Sequence, residues 1–226
     1  MRNKIKTADE AVAGIKDGAT IMVGGFMACG SPEILIDAVV RKGVKNLTII
    51  CNDAGVPGRG VGKLLSNGQI KKLIASHVGL NPEVAQRMNT DVAADKLDCL
   101  LVPQGTLAEQ VRAGGAGLGG FLTPTGVGTI VAEGKQVINM DGRDYLLEKP
   151  LRADFALIRG SVTDKFGNTT YNGTTRTFNP MMAAAADHVI VGACEVVEVG
   201  AIDPNHVVTS GIFVDSIVGG EKPWEI

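Results

Sequence analysis

Asn52 and Asp53 stand side by side directly after the apolar run LTIIC at 47–51, and the glycine-rich segment GGFMACGSP at 24–32 follows a similar run, TIMV at 20–23. A short amide at the end of a strand can hydrogen-bond a reacting oxygen, and it can equally close an Asx turn. Gly24, Gly25 and Gly30 would let a ligand approach the backbone closely. A helix opening at Pro32, with Ser31 as its cap, would aim free N–H groups and the positive end of its dipole at a phosphate or a developing oxyanion. The same glycines could instead serve only close packing of strand against helix.

A nucleophile or base for acyl chemistry would be a carboxylate, a thiol or a histidine. Glu33 lies beside the glycine loop, but an acidic side chain in the first helical turn is explained by the helix dipole, so it is not nominated. Cys29 sits in the loop with no His or Lys near it in sequence, which favours loop packing over reactivity. His77, His188 and His206 each stand alone. GAGLGG at 115–120 has the letters of a dinucleotide fingerprint, yet it follows a helical pattern where the fingerprint must follow a strand. GVGK at 60–63 lacks the spacing of a phosphate-binding P-loop.

The elements that must position these residues alternate along the chain. Thr7 with Glu10 predicts a capped helix, ATIMV a buried strand, and Ile34, Leu35, Ala38 and Val39 one face of a helix ending at Gly43. Strands follow at LTIIC and KKLIASHV, a helix starts at Asn81-Pro82, the strand DCLLVPQG runs into a loop, and a helix covers Leu107 to Val111. Residues 113–128 carry eight glycines or prolines and no charge, which predicts a shaped loop rather than a polar linker. Asp141-Gly142 between two strand-like runs predicts a hairpin, and ADFALIRG, NTTYN and DHVIVGACEVV add strands around a short alanine-rich helix near 181–186. Such alternation predicts an α/β fold: one domain over residues 1–226, with a mixed, largely parallel open sheet flanked by helices. In such sheets ligands bind beyond the carboxyl ends of the strands. The loops at Gly24–Ser31, Asn52–Gly62 and Pro103–Gly105 fit that place.

Composition narrows the partners. The 226 residues are 45% hydrophobic and 20% charged with a formal net charge of −2, so no electrostatic footprint for nucleic acid or an anionic membrane is present. Four widely spaced cysteines without a C-x-x-C pair, and only three histidines, predict reduced thiols and no metal site. MRNKIKTADE is too polar for a signal peptide, and no apolar run approaches membrane-spanning length, which places the protein in the cytoplasm.

DGATIMVGGFMACGSP at 17–32, NDAG at 52–55 and VPQGTLAEQVRAGGAGLGGFLTPTGVGT at 102–129 together resemble the α subunit of class I coenzyme A transferases. The resemblance continues through LRADFALIRG, FNPMMAAAA and VVTSGIFVD and so covers nearly the whole chain. It implies a double displacement in which an enzyme glutamate attacks an acyl-CoA, passes through an acyl anhydride and becomes a glutamyl-CoA thioester, with CoA as substrate and no cofactor or metal. It implies that this glutamate sits on a β subunit, in a Ser-Glu-Asn-Gly-like tetrapeptide. No glutamate of this sequence is followed by asparagine. A β partner in a hetero-oligomer such as α2β2 is therefore expected.

The resemblance makes Asn52 the donor to the thioester oxygen and Gly24, Gly25, Phe26, Met27, Ala28, Cys29 and Gly30 the CoA-binding loop. It makes Gly114, Gly115, Ala116, Gly117, Thr123, Pro124, Thr125, Gly126, Val127 and Gly128 a neighbouring wall of the site. Asp53, in place of a second asparagine, and Val127, in place of a tyrosine found in succinyl-CoA enzymes, point to acetate, butyrate and acetoacetate as substrates. The alternatives are a 3-oxoacid (succinyl-CoA or 3-oxoadipate) transferase subunit, a non-catalytic ligand-sensing module of related fold, and a sugar-phosphate isomerase with a related sheet.

Overall fold

The computed structural model describes residues 3–93 and 95–222, so both ends of the expected domain, 1–2 and 223–226, lie outside the described residues. The chain opens with α1 (Ala8–Ala11), β1 (Thr20–Val23), α2 (Glu33–Lys42), β2 (Leu47–Cys51), α3 (Val61–Ser66), β3 (Ile70–Ala75), α4 (Pro82–Met88), β4 (Asp98–Leu101) and α5 (Gln104–Gly115). It continues with β5 (Phe121–Thr123), β6 (Val137–Met140), β7 (Arg143–Glu148), β8 (Ala153–Asp164), β9 (Thr169–Thr170), α6 (Asn179–Ala184), β10 (Ala186–Val197) and β11 (Ser216–Gly219).

The main sheet runs β11-β10-β8-β1-β2-β3-β4, parallel throughout, with β9 pairing antiparallel on β8. The chain winds outward from β1 through β2 and β3 to β4, then returns to β8 on the other side of β1. Strand order therefore reverses between β1 and β8, and the loop leaving β1 opens into the crevice where such sheets take ligands. Parallel strands covered on both faces should be apolar on both, and successive residues confirm it. Ile21, Val23, Ile49, Cys51, Leu73 and Ala75 join α1 to α4 in one core, while Met22, Ile50 and Ile74 join Leu107 and Val111 of α5 and Met182 of α6 in the other.

The capping box forms as its residues predict, with Glu10 N donating to Thr7 Oγ1 at 3.3 Å and Thr7 N to Glu10 Oε2 at 2.9 Å. Its helix is a single turn. Asn81 caps α4 through Glu83 N, and the Asp141-Gly142 turn has φ of 52° and 80°, the left-handed pair a tight hairpin needs.

Three local expectations are corrected. Ser31 does not cap α2: its hydroxyl donates to Gly24 O at 3.1 Å, and Pro32 occupies the cap position. The hairpin at 137–148 leaves the main sheet and joins β5 in a separate antiparallel sheet, β5-β7-β6. The helix expected at 107–111 extends from Gln104 to Gly115, taking the first two glycines of the presumed loop with it. Close packing rather than a turn calls for glycine at these helical positions: a Cβ on Gly114 would lie 1.9 Å from Leu151 O, and one on Gly115 2.8 Å from Ala184 Cβ.

Candidate active site

Asn52 continues from the buried end of β2 and is itself buried. Its carbonyl accepts from Ser76 N at 2.9 Å and from Ser76 Oγ at 2.8 Å, prolonging the β2–β3 pairing by one step. Its side-chain Oδ1 accepts from Gln104 Nε2, at the first residue of α5, at 2.8 Å, and lies 3.1 Å from Ser76 Oγ. With the amide oxygen so occupied, Nδ2 is the group left to face the adjoining cleft. That cleft is about 480 Å³, lined by Phe26 and Cys29 from the glycine loop, Asn52, Gln104, Thr174, Thr177 and Phe178 from the segment leading into α6, and Met181 of α6. No carboxylate and no cation is among these lining residues.

The neighbouring Asp53 takes the structural role. Its Oδ1 accepts from Gly55 N at 2.6 Å, closing an Asx turn, and its Oδ2 accepts from Met27 N at 2.9 Å, latching the glycine loop to the end of β2. Of the two readings open for the Asn-Asp pair, the turn belongs to Asp53 and the free donor to Asn52. Cys51 is kept as a neutral thiol, because burial first and the Asp53 charge second push its pKa well up.

The loop at 24–30 is built around a tight turn. Phe26 N donates to Cys29 O and Cys29 N to Phe26 O, both at 2.8 Å, and the turn residues Met27 and Ala28 hold φ of 49° and 64°. Left-handed backbone in non-glycine residues costs roughly 1–2 kcal/mol each, and the Asp53 bond to Met27 N helps to hold it. Gly25 turns the chain with φ of 119°, and a Cβ on Gly24 would fall 1.8 Å from Asn179 Oδ1. The loop therefore presents Phe26 and Met27, 38% and 41% exposed, beside the cleft.

The residues expected to form one site are thus partly assembled. Phe26, Cys29 and Asn52 meet in one cleft, with Met27 and Ala28 in the turn between the first two. Gly114, Gly115, Ala116 and Gly117 lie at the far end of α5, about 15 Å along the helix from Gln104 at 1.5 Å per residue. Thr123 ends β5, and Pro124, Thr125, Gly126, Val127 and Gly128 follow it on the way to β6 of the small sheet; none of the ten lines the Asn52 cleft.

Glu33 is engaged on the other face of the sheet, where Oε1 accepts from Gly60 N at 2.7 Å and Oε2 pairs with Lys63 at 2.7 Å. A second cleft there, about 440 Å³ and lined by charged side chains including Lys63, Arg159 and Glu221, is comparable in size but has its carboxylates tied to backbone or to Lys63. Among the histidines, His77 is the one near the site, its Nδ1 2.8 Å from Ser76 Oγ and its ring 5.6 Å from that of Phe26. Among the described residues no cluster of three His, Cys, Asp or Glu is arranged to hold a metal ion, and no helix is long and apolar enough to cross a membrane.

Sequence reasoning placed Gln104 only as part of the Pro103–Gly105 loop, and it missed Ser76 and Asn179. Asn179 is fully buried, with Oδ1 accepting from Arg159 N and Nδ2 directed at Gly30 O and Thr175 O, so it ties the glycine loop to β8 and the 173–177 segment. Asn179-Pro180 at a helix start was a readable signal for a placed amide.

Residues 5–220 match the family described as Coenzyme A transferase. The chain is 51% identical over 222 residues to acetate CoA-transferase subunit alpha of Escherichia coli strain K12, covering 98% of this chain and 99% of that one. It is 49% identical over 218 residues to the acetoacetyl-CoA:acetate/butyrate CoA transferase alpha subunit of Clostridium acetobutylicum, covering 96% and 98%. The fold aligns with a solved acyl-CoA transferase from E. coli O157:H7, captured as a thioester complex with CoA, at a TM-score of 0.80 and 24% identity over 96% of this chain and 47% of that longer one. The chain belongs to the coenzyme A transferase family, in which it corresponds to the alpha subunit.

Proposed function

We propose that this chain is the α subunit of a short-chain acyl-CoA:carboxylate CoA-transferase, exchanging CoA between acetoacetyl-CoA and acetate or butyrate. It works with a β chain that carries the nucleophilic glutamate, in an assembly such as α2β2. The observation that carries this reading is the buried Asn52 amide, its oxygen held by Gln104 and its Nδ2 left to an apolar cleft without a carboxylate of its own. The one acid beside it, Asp53, has both oxygens engaged in holding loops.

In the proposed cycle the partner's glutamate attacks the thioester carbonyl, and Asn52 Nδ2 donates to the oxygen that becomes negative. Collapse expels the CoA thiolate and leaves an acyl-glutamyl anhydride. The thiolate then attacks the glutamyl carbonyl, releasing the first carboxylic acid as its anion and forming glutamyl-CoA. A second carboxylate reverses these steps and leaves as the new acyl-CoA. Phe26, Phe178 and Met181 keep water from the anhydride, and CoA enters as substrate, with no resident cofactor.

The apolar lining favours a monocarboxylic acid, since the described lining residues include no cation to meet a second carboxylate. Asp53 and Val127 support the same class through the family resemblance. With the β chain present, Asn52→Ala is expected to lower kcat by about 10²–10³-fold, the usual cost of an oxyanion donor, with little change in KM. An unchanged kcat would remove the role. Higher kcat/KM for succinate or 3-oxoadipate than for acetate and butyrate would replace the substrate class.

A further inference from the structure

We propose that Ser76 and His77 are positioning residues for Asn52, setting which end of its amide faces the cleft. The inference rests on the reading of Asn52 as the oxyanion donor and adds what keeps that donor pointed.

Gln104 alone cannot fix the amide. A glutamine and an asparagine that turn over together keep an N–H···O bond between them in either orientation. Ser76 supplies the asymmetry, because its hydroxyl has one hydrogen and three acceptors within reach: Asn52 O at 2.8 Å, Asn52 Oδ1 at 3.1 Å and His77 Nδ1 at 2.8 Å.

The tautomer of His77 decides where that hydrogen goes. With Nδ1 bare, the Ser76 hydroxyl donates to the imidazole and its oxygen is left as an acceptor. That arrangement suits Asn52 Nδ2 and turns the amide oxygen toward the cleft, where it would repel an oxyanion. With a hydrogen on Nδ1, His77 donates to Ser76 and the hydroxyl hydrogen is released to Asn52, shared between its backbone O and Oδ1. Oδ1 is then held between Ser76 and Gln104, and Nδ2 faces the substrate. The His77 ring also packs 5.6 Å from Phe26, so the same side chain braces the wall of the cleft.

The test uses the enzyme assembled with its β chain. Ser76→Ala removes the hydroxyl, and His77→Phe keeps a ring against Phe26 but removes Nδ1. Each is expected to lower kcat by about two- to tenfold, from two amide orientations made equally populated up to the loss of one net hydrogen bond, with KM changed less. Ser76→Thr restores kcat, and Ser76→Ala causes no further loss in an Asn52→Ala background, because both act through one donor. If Ser76→Ala does not assemble, His77→Phe carries the same comparison. Loss of kcat in Asn52→Ala with full kcat in the available Ser76 and His77 variants overturns the positioning role alone, as does a fully additive double variant. An unchanged kcat in Asn52→Ala overturns the donor reading and this role with it.

Discussion

Replacing Asn179 with alanine should unfasten the glycine loop from the body of the protein. The side chain is 0% exposed and its amide is fully used. Oδ1 accepts from Arg159 N at 3.1 Å, and the two Nδ2 hydrogens are directed at Thr175 O at 2.9 Å and Gly30 O at 3.0 Å, with Thr177 Oγ1 a longer contact at 3.3 Å. Alanine leaves three backbone groups without partners. Each unsatisfied buried group costs about 1–3 kcal/mol, and a water entering the space recovers part of it, so the total is about 3–5 kcal/mol. For a chain of this length that corresponds to a fall in Tm of about 10 °C. Asn179→Asp sharpens the test: it keeps the acceptor for Arg159 N but sets an anionic oxygen against the carbonyls of Gly30 and Thr175. It should melt no higher than the alanine variant at neutral pH. Thermal unfolding followed by circular dichroism reads both. An alanine variant within 2 °C of the parent on this ~10 °C scale, or an aspartate variant of parental stability, would show that Asn179 does not fasten the loop.

Two further outcomes follow from burial and close packing. Burial raises the Glu221 carboxyl to about 7 from an ordinary 4.5, against the opposing Ile34 N–H and the Arg159 charge. The folded state therefore holds that proton more tightly than the unfolded chain, and the contribution to stability is present below pH 4.5 and lost as pH rises toward 7. Glu221→Gln should remove this part of the decline in a Tm-against-pH series, and identical pH dependence in parent and variant would count against it. In α5, Gly114→Ala forces a Cβ to 1.9 Å from Leu151 O, whereas Gly105→Ala meets nothing within 4 Å. The first should destabilise by about 1–3 kcal/mol or more, and the second, in the first turn, should stabilise by no more than about 0.5 kcal/mol; equal effects in chemical denaturation would count against close packing at Gly114.

The parallel α/β plan was legible because its strands are short apolar runs, apolar at successive positions, and the intervening segments carry helix starts such as Asn81-Pro82. The hairpin was legible because Asp141-Gly142 accepts the left-handed backbone that its turn requires. The short helix α3 was not, since six residues preceded by Gly60 and containing Gly62 give no period to read. The end of α5 was misread for a physical reason: glycine usually marks a loop, but at 114 and 115 it admits a neighbouring backbone and side chain to a helix. At the site, residue types put the amide and the acid side by side without dividing their roles, and only the family resemblance singled out Asn52 as the donor. That division depends on Ser76, 24 residues away, and on Gln104, 52 residues away, which only the folded sheet brings to Asn52.

If this chain supplies the oxyanion donor while the covalent chemistry occurs on its partner, intact-mass measurement of the assembled enzyme after incubation with acetoacetyl-CoA, without an acceptor acid, should find a CoA adduct on the β chain and an unmodified mass for this one. An adduct on this chain would move the nucleophile here.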